Sequence, residues 1–296
     1  MEWRLIWERF REHKAGLWGL WAVLAIALIA IFAPAIGAAL GLDPYAQDIL
    51  LRYAPPGNGH PLGTDEAGRD FLIRLIYGAQ VSVGVAVLST VASMIVGVII
   101  GAIAGYYGGL WDAFLMRFTD ALLSLPLLPV LILLAAMDFA KLPGLGLFFA
   151  DGDASLTKMV LIFVLFSWMT VARLVRGQIL QLKEMEFVTA ARSLGMRDAR
   201  IILRHVLPSV LPAVIVAVSL AVGQTILFES ALSFLGLGIQ PPLASWGNML
   251  NNGLETLSAA PMLVFLPGFC ILVVVVAFNF IGDGLQHALD PKSVKR

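Results

Sequence analysis

LIYGAQVSVGVAVLSTVASMIVGVIIGAIAGYYGGLW, residues 75–111, runs without one charged side chain. The hydrocarbon core of a bilayer takes roughly 20 apolar residues as a helix, so this stretch crosses it with length to spare. The medium also dictates the helix, because in lipid every backbone donor and acceptor must be met within the structure. Ser89, Ser93, Gly97, Gly101 and Gly105 place a small residue at every fourth position, hence along one helical face. Such a stripe lets two backbones approach closely, either as a core helix against which others slide or as ordinary tight packing.

Four further uncharged or nearly uncharged runs have spanning length: 15–42, 121–137, 206–228 and 256–282. A sixth, 159–172, is short, and reaches spanning length once Lys158 and Arg173 snorkel from its ends. The composition agrees: 59% of residues are hydrophobic and 14% charged, against about half and about a quarter in soluble domains. The reading is an all-α membrane protein of six transmembrane helices. Residues 1–14 form an N-terminal segment, 15–42 the first helix, 43–74 a loop, 75–284 a core of five helices, and 285–296 a tail. Ala33-Pro34-Ala35 mimics a signal cleavage site, but the apolar run before it exceeds a signal's 7–15 residues, so the first helix is expected to be retained. The single cysteine, Cys270, excludes an intrachain disulfide.

Lys and Arg accumulate on the cytoplasmic side of membrane proteins. With the N-terminus inside, only Arg52, Arg69, Arg74, Lys141 and Lys158 of the twenty basic residues fall outside. Both termini are therefore expected in the cytoplasm, together with the loop 184–205.

That loop belongs to EFVTAARSLGMRDARIILRHVLPSVLP, residues 186–212. Phe187, Ala190, Ala191 and Leu194 follow the i, i+3, i+4, i+7 pattern of one apolar helical face. Gly195 is placed as a C′ stop. A second short helix then carries Arg197, Arg200 and Arg204, and Pro208 is expected to end the segment. An amphipathic helix-turn-helix held in a membrane protein's loop implies a docking partner; the plainer alternative is an interfacial loop.

Elsewhere, Pro126 and Pro129 remove two backbone donors and are expected to bend or interrupt the third span; interrupted backbone at membrane depth survives where protein or a wet cavity satisfies it. Gln224 precedes a ladder of Thr225, Glu229 and Ser233 spaced by four. A carboxyl within a span is costly towards lipid, so this face is expected to turn inward, towards a translocation route. Trp246 is expected at the membrane interface. His60–Asp70 (HPLGTDEAGRD) reads as an ordered external loop entering a helix. His60, Asp65, Glu66 and Asp70 match no standard metal spacing.

Four segments in order, HPLGTDEAGRD, the 186–212 segment, ILFESALSFLGLGIQPPLASWGNML (226–250) and FNFIGDGLQHALDPK (278–292), resemble the peptide/nickel branch of ABC-importer permeases, most closely its C-type members. The 186–212 segment is similar to that family's "EAA" loop: Ala190-Ala191, Gly195 and Leu207-Pro208 are in register. Thr189 stands where Glu is usual and His205 where Ile is usual. The resemblance implies a type I importer permease (MetI-like) fold in the prokaryotic plasma membrane. It implies that Glu186, Thr189, Ala190, Ala191, Gly195, Arg197 and Arg200 couple to an ATPase. It also implies partners: a homologous second permease, two ATP-binding-cassette ATPase subunits and an extracytoplasmic substrate-binding protein that delivers peptide. Pro126, Gln224, Thr225, Glu229 and Ser233 are the candidate pathway residues. Lipid surrounds the chain, and no nucleic acid is expected.

No phosphate-cradling G-x-x-x-x-G-K-[ST] occurs, since no lysine follows a glycine. No His-Glu-x-x-His occurs either. The chain is expected to hold no cofactor and to catalyse nothing alone, with ATP bound by partner subunits. The alternative is a proton-coupled secondary transporter using Glu229. Because the binding protein selects the cargo, oligopeptide, dipeptide and nickel chelate remain equivalent at this level.

Overall fold

The computed structural model describes residues 3–57, 59–141, 154–251, 257–258 and 260–289. The basic tail residues Lys292, Lys295 and Arg296 and the start of the 256–282 run lie outside them. The described chain is helical: α1 Trp3–Glu12, α2 Lys14–Ile31, α3 Ala33–Leu40, α4 Phe71–Tyr107, α5 Gly109–Leu123, α6 Leu127–Ala136, α7 Ala154–Leu182, α8 Glu186–Ser193, α9 Asp198–Ile201, α10 Leu207–Phe234, α11 Trp246–Met249 and α12 Met262–Leu289. Among the described residues, extended pairing is confined to two isolated bridges, Gly57 with His60 and Thr64 with Asp70.

Five helical stretches among the described residues are long and apolar enough to cross a membrane. The pair α5 and α6, bent by 83°, makes a sixth when counted as one broken span. Pro126 sets that bend as the N-cap of α6. Pro129 then falls in the first turn, where a missing N–H breaks no bond. The expected interruption is present, and its cause is Pro126.

The first expected span, 15–42, is broken. Phe32 caps α2, and Pro34 sits in the first turn of α3, where its ring cannot continue the preceding helix. The expectation that Pro208 ends the coupling segment is also corrected. Asp198–Phe234 runs as one helical stretch, with a wide π turn at Ile202–Val206 and Pro208 in the first turn of α10. The widened turn relaxes the clash between a proline ring and the carbonyl four residues back.

The small stripe of α4 packs against α7. A Cβ on Gly97 would lie 2.7 Å from the Trp168 carbonyl, one on Gly101 2.5 Å from the Ala172 carbonyl, and one on Gly105 3.0 Å from the Ile179 Cβ. Backbones this close interlock turn by turn, so tight packing, not a sliding rail, describes this pair. The same device joins α2 to α12, where a Cβ on Gly19 would meet the Ala277 carbonyl at 2.5 Å. Between them α10 packs on α4 and α12.

The loop before α4 is ordered by its own charges. Asp65 accepts from Arg69 Nε at 2.7 Å and pairs with Arg74 Nε at 3.1 Å. Asp70 caps α4 through Ile73 N–H at 3.0 Å and faces His60 Nδ1 at 2.9 Å. Arg74 Nη1 then donates to the carbonyls of Pro44 at 3.2 Å and Pro242 at 3.4 Å. One buried guanidinium thus ties the 43–70 loop to the loop that follows α10.

Candidate functional site

Two assemblies stand at opposite ends of the bundle. The first is the helix-turn-helix. α8 ends with Leu194 as its cap and Gly195 in the left-handed conformation at φ 76°. Met196 N–H donates to Ala191 O at 3.2 Å and Gly195 N–H to Arg192 O at 2.9 Å, the paired bonds of a Schellman motif. The sequence-placed stop is therefore where it was expected.

The apolar face divides. Val188 and Ala191 are buried with Tyr106, Val175, Ile179, Ile201 and Val206. Phe187, Ala190 and Leu194 point away, Leu194 at 85% exposure. Ala191 therefore holds the segment to its own bundle, a correction to its grouping with the docking residues. The reason is angular: at 100° per residue, Ala191 lies between the Val188 direction and the Phe187 direction. Glu186, Thr189, Ala190, Gly195, Arg197 and Arg200 all remain exposed.

Tyr106, near the end of α4, fastens this segment. Its hydroxyl donates to Asp198 Oδ1 at 2.7 Å and accepts from Arg192 Nη2 at 3.3 Å. That bond raises the Arg192 guanidinium above its ordinary pKa, so the cation persists across the physiological range. Beside it, Arg176 of α7 grips Asp112 of α5 through two parallel bonds, Nη2 to Oδ2 at 2.6 Å. Arg173, about one turn earlier on α7, pairs with Asp120, about two turns further along α5. Tyr106→Phe removes the hydroxyl and leaves the ring in its packing. We expect it to speed amide exchange across residues 186–201 by about fivefold or more, from the loss of two bonds of roughly 1 kcal/mol each, while insertion is unchanged. Exchange followed by mass spectrometry on the two proteins checks this.

The second assembly surrounds Glu229. Thr225, Glu229 and Ser233 share a face, as their spacing requires, but the face is packed rather than open. Their exposures are 3%, 0% and 0%. Glu229 Oε2 accepts from Ser82 of α4 at 3.0 Å, and Oε1 from Ser233 at 2.7 Å. Each of those hydroxyls also receives a backbone donor: Trp246 N–H reaches Ser82 at 3.1 Å, and Ile239 N–H reaches Ser233 at 3.0 Å. A hydroxyl that accepts from an amide keeps its one proton to donate, so both point it at the carboxyl group. Thr225 faces Thr90 of α4 at 3.3 Å.

Trp246, expected at the membrane interface, is instead 2% exposed inside the bundle. Its indole N–H donates to the Leu75 carbonyl at 3.0 Å. Gly78 and Gly247 make the room, since a Cβ on Gly78 would lie 2.9 Å from the Trp246 ring and one on Gly247 2.6 Å from the Ser230 Cα. Of the candidate pathway residues, only Gln224 and Pro126 are exposed. Sequence reading missed Ser82, Tyr106, Asp112 and Asp198 because their partners are far along the chain and no local spacing marks them.

A family model described as the binding-protein-dependent transport system inner membrane component matches residues 97–295. A second, the N-terminal transmembrane domain of oligopeptide transport permease C, matches residues 2–56. The oligopeptide transport system permease protein OppC of Bacillus subtilis is 38% identical over 98% of this chain and 90% of its own length. The dipeptide transport system permease protein DppC of the same organism is 40% identical over 97% and 84%. OppC of Escherichia coli is 39% identical over 99% and 93%.

Proposed function

We propose that this chain, which belongs to the family of binding-protein-dependent transport system inner membrane components, moves peptides across the membrane. It is the permease component of an ATP-binding-cassette importer in a bacterial inner membrane. The observation that carries the cargo is that relatives similar over nearly the whole chain are named for oligopeptide, dipeptide and glutathione transport. Its partners in this reading are a homologous second permease, two ATPase subunits and an extracytoplasmic binding protein. ATP is bound and hydrolysed by the partner subunits, and no cofactor resides in this chain.

Phe187, Ala190 and Leu194, with Glu186 and Thr189 beside them, form the ATPase-facing surface, and Arg197 and Arg200 flank it. Both termini lie in the cytoplasm with this surface, in keeping with the distribution of Lys and Arg. ATP-driven closure of the ATPases pushes on α8, and Tyr106, Val188 and Ala191 transmit the push to α4 and α7. Gln224 and the exposed backbone around Pro126 face the route between the two permeases, while Thr225, Glu229 and Ser233 hold α10 in place behind it. The carrier role for Glu229 finds no support, because its enclosed carboxyl group has no contact with water.

Gly195 decides the coupling reading. Val is strained at a positive φ, whereas Asn tolerates the left-handed region, and a Cβ there meets nothing within 4 Å. Gly195→Val is expected to cut uptake by about tenfold with the complex still assembled, and Gly195→Asn to keep most of it. Peptide uptake and ATP hydrolysis are followed in proteoliposomes of the full importer, with and without a proton-gradient uncoupler. Uptake that collapses with the gradient while ATP is maintained would reject the proposed driving force.

A further inference from the structure

Helix α1 has no part in the coupling or pathway assemblies. Trp3, Ile6, Trp7 and Phe10 recur at i, i+3, i+4 and i+7, and Arg4, Glu8, Arg11 and Glu12 fill the opposite side. His13 separates α1 from α2: its ring Nδ1 accepts from Gly16 N–H at 3.0 Å, and its own backbone leaves the helical region at ψ 90°. Phe10 is 3% exposed and rests against α12 at Gly284, where an added Cβ would meet its ring at 2.8 Å. α1 is therefore fixed at the height where α2 begins and α12 ends. For two spanning helices, that height is the boundary of the bilayer.

At this boundary Trp7 stays 49% exposed, stacked on Phe10 at 5.9 Å between centroids. Arg4 and Arg11 are exposed, and Arg9 is half-buried. Among the described residues Arg4 pairs with Glu8, at 3.4 Å, through side chains that are 93% and 61% exposed; solvent weakens such a pair to little. Lys14 adds a further cation where α2 begins. A helix with an aromatic side, a charged side on which Arg4 and Arg11 alternate with Glu8 and Glu12, further cations at Arg9 and Lys14, and a membrane-level anchor has the build of an interfacial helix.

We propose that α1 lies in the membrane surface and binds anionic lipid headgroups through Arg4, Arg9 and Arg11, with the Trp7 ring at the headgroup–acyl boundary. Basic residues near a surface of anionic lipid are attracted within a Debye length. Trp is favoured at this depth because its ring is apolar and its N–H is wet. Phe10 and the glycine crossing of α2 and α12 supply a fixed seat, so the lipid contact is made without ordering a free tail.

The test uses the assembled importer in nanodiscs of phosphatidylcholine, with or without phosphatidylglycerol. Amide exchange of residues 3–12 is followed by mass spectrometry at low and high salt. Anionic lipid is expected to slow exchange by about fivefold or more, the worth of one surface cation or better, and high salt is expected to reverse it. An Arg4→Gln, Arg9→Gln, Arg11→Gln triple variant should lose this increment and keep its exchange in neutral lipid, which shows that the helix still forms. Equal exchange in both lipids would overturn the proposal. So would an increment retained by the triple variant. Protection that appears only when the ATPase subunits are present, whatever the lipid, would assign the helix to a protein partner instead.

Discussion

Glu229→Ala is expected to reduce peptide uptake to background, while Glu229→Gln keeps most of it. The carboxyl group is the shared acceptor for Ser82 and Ser233, whose own oxygens hold the amides of Trp246 and Ile239. Removing it leaves two buried hydroxyls without an acceptor, at about 1–3 kcal/mol each, and opens a cavity besides. The loss falls on the loop that follows α10, because that loop is held through those hydroxyls. Gln keeps one acceptor oxygen, and its amide can donate to a hydroxyl that turns to receive it. Uptake in vesicles is the first measurement and amide exchange across residues 236–251 the second. Wild-type uptake and wild-type protection in Glu229→Ala would show that the cluster does not hold the loop. Loss of uptake in Glu229→Gln with the loop still protected would point to a role for the ionised group itself.

Gly101→Leu should be the most damaging single change along the α4–α7 seam. Its Cβ alone would stand 2.5 Å from the Ala172 carbonyl and 2.8 Å from the Val175 Cβ. Neither is the flexible end of a side chain, so the helices must part. Overpacking commonly costs about 1–3 kcal/mol, and a separation along this seam is expected at or above the top of that range. The expected result is a chain that reaches the membrane but elutes as aggregate after solubilisation, with little assembled importer. Gly84→Ala is the matched control: it lies on the same helix, and nothing stands within 4 Å of its added Cβ. Size-exclusion profiles and thermal unfolding of the two variants decide the matter, and equal melting temperatures would refute the seam.

The membrane fold was written locally. Uncharged runs, the glycine and serine stripe, the proline break at Pro126 and the glycine stop at Gly195 each act within a few residues, through hydrogen bonding in lipid or through backbone sterics. Reading them needs no knowledge of the neighbours. The family resemblance is of the same kind, because it rests on short segments in order, and the match over residues 97–295 agrees with it.

Tertiary structure decided which faces meet. Periodicity showed that Thr225, Glu229 and Ser233 share a side but not what stands opposite, and the partner proved to be Ser82 rather than a water-filled route. The same holds for Ala191, on the border of two apolar directions until Tyr106, Val175 and Ile201 claimed it for the core. Trp246 has the composition of an interface anchor, yet Gly78 and Gly247 opened a slot that took it inside. Sequence by itself determined the apolar segments and the breaks at Pro126 and Gly195, because those follow from solvent and from short-range geometry. Only the fold determined the clasp at Glu229 and the tether at Tyr106, because each joins residues that the chain brings together only after its helices have packed.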